Sequence, residues 1–109
     1  MLAHPCWYHG FVDAPADEYP PDGVEVASAN MASADPACVE ALPEKFAAAA
    51  LTNSDAHHSA YVGLYHNRLA RPARTDAELV EMLREGTFET CRLTEEIAAL
   101  RESGEELIP

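Results

Sequence analysis

The amino-acid sequence predicts an α/β fold with parallel strands, in which about three to four βα units form an incomplete barrel or a small open sheet. Two observations predict it. Short apolar runs alternate with helix-patterned segments in the order β–loop–β–α–β–loop–β–α–β–α. At 109 residues the chain makes one domain, residues 1–109, at the small end of the usual range.

The elements follow in order. "MLAHP" is an apolar run stopped by Pro5, the last residues of a strand. Residues 6–22, aromatic, acidic and proline-rich, suit a long surface loop of the kind that often carries function. "GVEVAS" (23–28) alternates Val24 and Val26 around Glu25 and predicts a strand. Asp35 caps a helix with Pro36 at its first position, Pro43 ends or kinks it, and a further turn runs from Phe46 to Ala50. "ALTNS" (50–54) and "YHNRLAR" (65–71) are short strands. "TDAELVEMLRE" (75–85) is the clearest helix, because Thr75 and Glu78 form a capping box and Gly86 stands at its end. Its apolar side of Leu79, Val80, Met82 and Leu83 should pack on a sheet. "TFETCRL" follows as a strand, and residues 93–109 form an acidic C-terminal helix.

Composition excludes some functions. Lys and Arg total 7 against 19 Asp and Glu, a net charge of −12, so neither nucleic-acid phosphate nor an anionic membrane is expected as a partner. No run of about 18 apolar residues suggests a membrane span, and the N-terminal residues lack a signal-peptide pattern. Cys6, Cys38 and Cys91 are scattered, without a CxxC pair, so the expectation is a cytoplasmic protein with reduced thiols.

The densest polar cluster is "TNSDAHHSAYVG" (52–63). Asp55 and His57 are two positions apart at the end of a strand, where such residues project to one side. Their oxygen and nitrogen donors could reach one divalent cation or two adjacent ones. His4 ends another strand, and strand C-termini converge on one face in parallel α/β folds. The proposal is that His4, Asp55 and His57 meet there. Asp-x-His after a strand also serves as an ordinary turn of hydrogen-bonded polar side chains. Glu25 either joins such a cluster or contacts a neighbouring backbone or histidine. Trp7, Tyr8 and His9 could line a substrate pocket or simply pack as an aromatic lid. Arg68, Arg71 and Arg74 could meet a phosphate or pair with surface acids.

"LAHP" at 2–5, "GVEVASAN" at 23–30, "SDAH" at 54–57 and "RPARTDAELVEMLREGTF" at 71–88 together resemble the later motifs of the polymerase-and-histidinol-phosphatase (PHP) superfamily of metal-dependent phosphoesterases. The resemblance implies a distorted β/α barrel, of which this chain supplies the C-terminal part. It also implies that His4, Asp55 and His57 are metal ligands, holding zinc, manganese or iron. Asn30 would support them by a hydrogen bond and His58 would stay in solvent, while Trp7, His9 and Arg68 are the residues that could face a substrate. The reaction implied is hydrolysis of a small phosphorylated molecule by metal-activated water.

One departure bears on activity. PHP members open with an HxH motif and carry further ligands on the following strands, and this sequence has no HxH. The expectation is therefore a truncated or partial form, whose missing N-terminal half leaves catalysis by the chain alone doubtful. The alternative is a catalytically inactive half-barrel acting as an interaction or oligomerisation module, because an unpaired sheet edge invites a second chain, including a homo-oligomeric copy.

Overall fold

The computed structural model describes residues 1–7, 10–12 and 15–103. Strands and helices alternate: β1 (Gly23–Ala27), α1 (Pro36–Phe46), β2 (Ala49–Thr52), a 3₁₀ turn (Ser59–Tyr61), β3 (Tyr65–Leu69), α2 (Asp76–Glu85), β4 (Phe88–Arg92) and α3 (Thr94–Glu102). The chain is thus a mixed α/β domain, with its elements in the order the sequence predicts.

Strand direction differs from the expectation in part. β1 and β2 pair in parallel, from Gly23 opposite Ala49 to Ala27 opposite Thr52, with a register shift between Glu25 and Ala27. Leu2 adds a parallel bridge to Val24, through Leu2 N–H to Gly23 O at 2.8 Å and Glu25 N–H to Leu2 O at 2.9 Å. β3 and β4, however, are antiparallel, from Tyr65 opposite Arg92 to Leu69 opposite Phe88. Alternation of strand and helix sets the order of elements but not their direction, and α2 returns the chain beside β3 running the opposite way. The strands form two two-stranded sheets.

A side chain joins the sheets. Thr52 N–H donates to Asn67 Oδ1 at 2.9 Å, and Asn67 Nδ2 donates to Thr52 O at 2.7 Å. The Asn67 amide thereby stands in for a peptide group of a neighbouring strand. Thr52, only 2% exposed, also donates its hydroxyl to His66 O at 2.8 Å. The end of β2, which carries the polar cluster, is anchored in this way.

α1 starts as its sequence predicts: Asp35 Oδ1 accepts from Cys38 N–H at 3.1 Å, with Pro36 at the first turn. Pro43 does not end it. Buried Val39 and Leu42 hold the helix against β1 across the hydrogen bond that Pro43 removes, and the helix ends only where Ala47 turns left-handed at φ 49°. No further helical turn follows, because Ala49 already belongs to β2. α2 has its cap at Thr75 and its left-handed end at Gly86, φ 72°. Its buried stripe is narrower than the pattern suggests: Met82 is fully enclosed, whereas Leu79 and Val80 are exposed.

Two apolar clusters make the core. Cys6, Val24, Val39 and Leu42 pack between β1 and α1, and Ala27, Ala29, Tyr61, Leu64, Tyr65 and Ile97 pack beside β3 and α3. The expectation of reduced thiols fails for two cysteines, because Cys6 and Cys38 form a disulfide with Cα atoms 6.0 Å apart. The reason lies in the path of the loop. Trp7 bridges Ala34, and Asp35 N–H donates to Cys6 O at 3.1 Å, which lays Cys6 on the first turn of α1. Cys91 is free. Among the described residues no helix is long and apolar enough to cross a membrane.

Candidate functional site

The two strand ends singled out by the sequence meet. His4 follows the Leu2 bridge and Asp55 follows β2, and His4 Nε2 lies 3.4 Å from Asp55 Oδ2. Both residues hold left-handed backbone, at φ 48° and 47°. That conformation is uncommon away from glycine, and outliers of this kind cluster at functional sites.

Each partner is held from behind by a buried polar side chain. Glu25, 3% exposed on β1, accepts from His4 N–H through Oε1 at 3.2 Å and from Asn53 Nδ2 through Oε2 at 2.8 Å. The same Oε1 stands 3.9 Å from His4 Nδ1, a buried atom without a hydrogen-bond partner among the described residues. Asn30, also 3% exposed, donates from Nδ2 to both Asp55 O at 2.9 Å and Asp55 Oδ2 at 2.6 Å. β1, whose pairing shifts register between Glu25 and Ala27, supplies Glu25, and the residues just beyond it supply Asn30.

His57 is exposed and approaches the backbone of Asp55, with its Nδ1 2.9 Å from Asp55 O. A carbonyl can only accept, so Nδ1 carries the proton in this contact and Nε2 keeps its lone pair in the neutral ring. His57 is therefore tied to Asp55 through the main chain. Among the described residues, no three His, Cys, Asp or Glu side chains converge as a metal site. The structure brings His4 and Asp55 together, with Glu25 behind His4, and places His57 at the rim.

The other expected residues are placed as follows. The Trp7 ring meets the His4 imidazole edge-on, with centroids 4.6 Å apart, which limits how the imidazole can rotate. His9 and Tyr8 lie outside the described residues. Arg68 and Arg71 hold carboxylates, Arg68 with Glu89 at 3.2 Å and Arg71 with Glu78. His58 is exposed and packs edge-on against Tyr61. Sequence reasoning missed Asn53, the second partner of Glu25. Its signal was a polar amide one residue beyond β2, next to the cluster.

Two carboxylates thus approach one imidazole from either side, concentrating negative potential where the strand ends converge. Such a site suits positive charge and hydrogen-bond donors. Residues 39–88 match the PHP-associated family, consistent with a C-terminal region of the PHP superfamily. The matched segment contains Asp55 and His57, while His4, Glu25 and Asn30 precede it. No curated protein matches the chain, and no solved structure does.

Proposed function

With the PHP-associated segment at residues 39–88 as premise, we propose that this chain is the metal-binding C-terminal part of a PHP-type phosphoesterase. The Leu2–β1–β2 ladder would form one arc of its distorted barrel. The observation that carries the reading is the contact of His4 Nε2 with Asp55 Oδ2 at 3.4 Å. Two ligands about 2.1 Å from a tetrahedral ion stand about 3.4 Å apart, so the pair is spaced as two ligands of one cation would be.

His4 and Asp55 would hold the ion, and the Nε2 lone pair of His57 is the nearest further donor in sequence. A mixed imidazole–carboxylate set suits zinc, manganese or iron. When bound, the ion would lower the pKa of a water and neutralise phosphate oxygens. The chain's own residues do the positioning. Asn30 fixes the Asp55 carboxylate, leaving Oδ1 as its other oxygen, and Glu25 fixes the His4 backbone. The Asp55 carbonyl fixes the His57 tautomer. A net charge of −12 favours a small phosphorylated substrate over a nucleic acid.

The test is metal content after saturation with zinc, manganese or ferrous iron and gel filtration. The wild-type chain should retain metal, and His4→Ala and the double variant Asp55→Ala, His57→Ala should lose it. A wild-type chain that retains none overturns the reading.

A further inference from the structure

A cavity of the described residues is lined by none of His4, Asp55 and His57. It is an open groove of about 610 Å³ between β1, the loop after it, α1, β3 and the β4–α3 segment. Its size lies in the range of small-molecule sites. The walls include Val26, Ala29, Val39 and Tyr65, and the guanidinium-bearing residues Arg92 and Arg101 line it from β4 and α3.

Those two arginines differ from most other basic residues of this acidic chain. Lys45, Arg68, Arg71 and Arg84 each face a carboxylate, of Asp17, Glu89, Glu78 and Asp22 respectively. Neither Arg92 nor Arg101 pairs with a carboxylate among the described residues, although acids outnumber bases by 19 to 7. Arg92 instead lies over the Tyr65 ring, 5.7 Å from its centroid, which positions its guanidinium by cation–π attraction. Two guanidinium forks at one groove, neither paired with a carboxylate among the described residues, suit a doubly charged anion.

We infer that this groove binds a small phosphorylated molecule, its phosphate held by Arg92 and Arg101 and its apolar or planar body against Tyr65, Ala29 and Val39. A phosphate monoester carries close to two negative charges at neutral pH, matching two guanidinium groups where a single carboxylate would leave one unanswered. Glu40 on the same wall is an acceptor for a donor group on the ligand and disfavours a second anion.

The test is an amide-resolved NMR titration of the full chain with inorganic phosphate and with adenosine monophosphate, in EDTA at fixed ionic strength. The expected result is saturable shifts at Ala29, Tyr65, Arg92 and Arg101, with the nucleotide binding more tightly than phosphate. Arg92→Gln and Arg101→Gln should each weaken binding by about tenfold or more. Arg74→Gln, outside the groove, and Asp55→Asn should leave it unchanged. Because EDTA removes any metal and Asp55→Asn disables the strand-end pair, failure here is separate from failure of the metal reading. The inference is overturned by absence of saturation, by binding that survives both Arg→Gln variants, or by loss in Asp55→Asn equal to that in Arg92→Gln.

Discussion

The Asp55 carboxylate lies 3.4 Å from the His4 imidazole because Asn30 holds it there, donating from one amide nitrogen to both the side chain and the carbonyl of Asp55. Asn30 is buried, and removing it leaves Asp55 oriented by little else on that side. Asn30→Ala should cost about 1–3 kcal/mol of stability, since it strips two hydrogen bonds from a buried loop. On the proposed metal-binding reading, it should also weaken metal retention by about 10- to 100-fold while His4, Asp55 and His57 all remain. Urea denaturation and metal titration of the same variant check the two parts separately.

A second amide does structural work at a distance from that pair. Asn67 closes a two-way hydrogen-bonded bridge with the backbone of Thr52, tying β3 to β2. Asn67→Asp keeps the size and the acceptor but turns the Nδ2 donor into a charged oxygen facing Thr52 O. The expected loss is about 2 kcal/mol, from an unsatisfied carbonyl and repulsion in a half-buried place. Hydrogen exchange should accelerate at the Thr52 amide in this variant, and unchanged protection there would contradict the bridging role.

These two asparagines also show what could be read in advance. The Thr75–Glu78 cap, the Gly86 stop and the Asp35–Pro36 start were legible because each is written within four residues of its own helix. The strand ends at His4 and Asp55 were legible as polar residues closing apolar runs. The structure-specific facts depend on chain segments that meet only after folding: Asn53 reaching Glu25, Asn67 reaching Thr52, and the antiparallel course of β4. Local pattern contains no term for them. Pro43 lies inside α1 instead of ending it for the related reason that burial of Val39 and Leu42 outweighs a local helix-breaking preference.

The Cys6–Cys38 link is another such meeting, and it stands two residues from His4. It closes a loop of sequence separation 32, for which chain entropy gives roughly 3–4 kcal/mol of stabilisation. Cys38→Ser should lower stability by about that amount, and a reducing agent should do the same to the wild-type chain without adding to the variant's loss. Equal midpoints with and without reductant would show that the bond contributes nothing.

Ala47 offers a cleaner view of backbone strain than either site residue. It ends α1 at φ 49°, is exposed, and its methyl group has no hydrogen bond to lose. A left-handed conformation costs a residue with a Cβ about 1 kcal/mol. Ala47→Gly should therefore raise stability by about 0.5–1 kcal/mol, read as a higher urea midpoint with an unchanged slope. His4 and Asp55 bear the same conformational cost, and there it coincides with the contact of His4 Nε2 with Asp55 Oδ2.

Acid sensitivity should report on the start of α2. The backbone N–H of Arg74, and then the guanidinium of Arg71, hold the Glu78 carboxyl below its ordinary value. The Arg74 bond places the acid just ahead of the Thr75 cap, where the helix N-terminus also favours negative charge. A carboxyl with a depressed folded-state value binds its proton more readily in the unfolded chain. Its stabilising contribution is therefore complete above the unfolded value and is lost as pH falls through the folded one. Glu78→Gln should lower the melting temperature at neutral pH, and the gap between variant and wild type should close as the solution is acidified. Added salt should narrow the neutral-pH gap only in part, because the ion pair with Arg71 is screened while the hydrogen bond from the Arg74 amide persists. A gap that stays constant from neutral to strongly acidic pH would mean that the charge on Glu78 does not hold the cap.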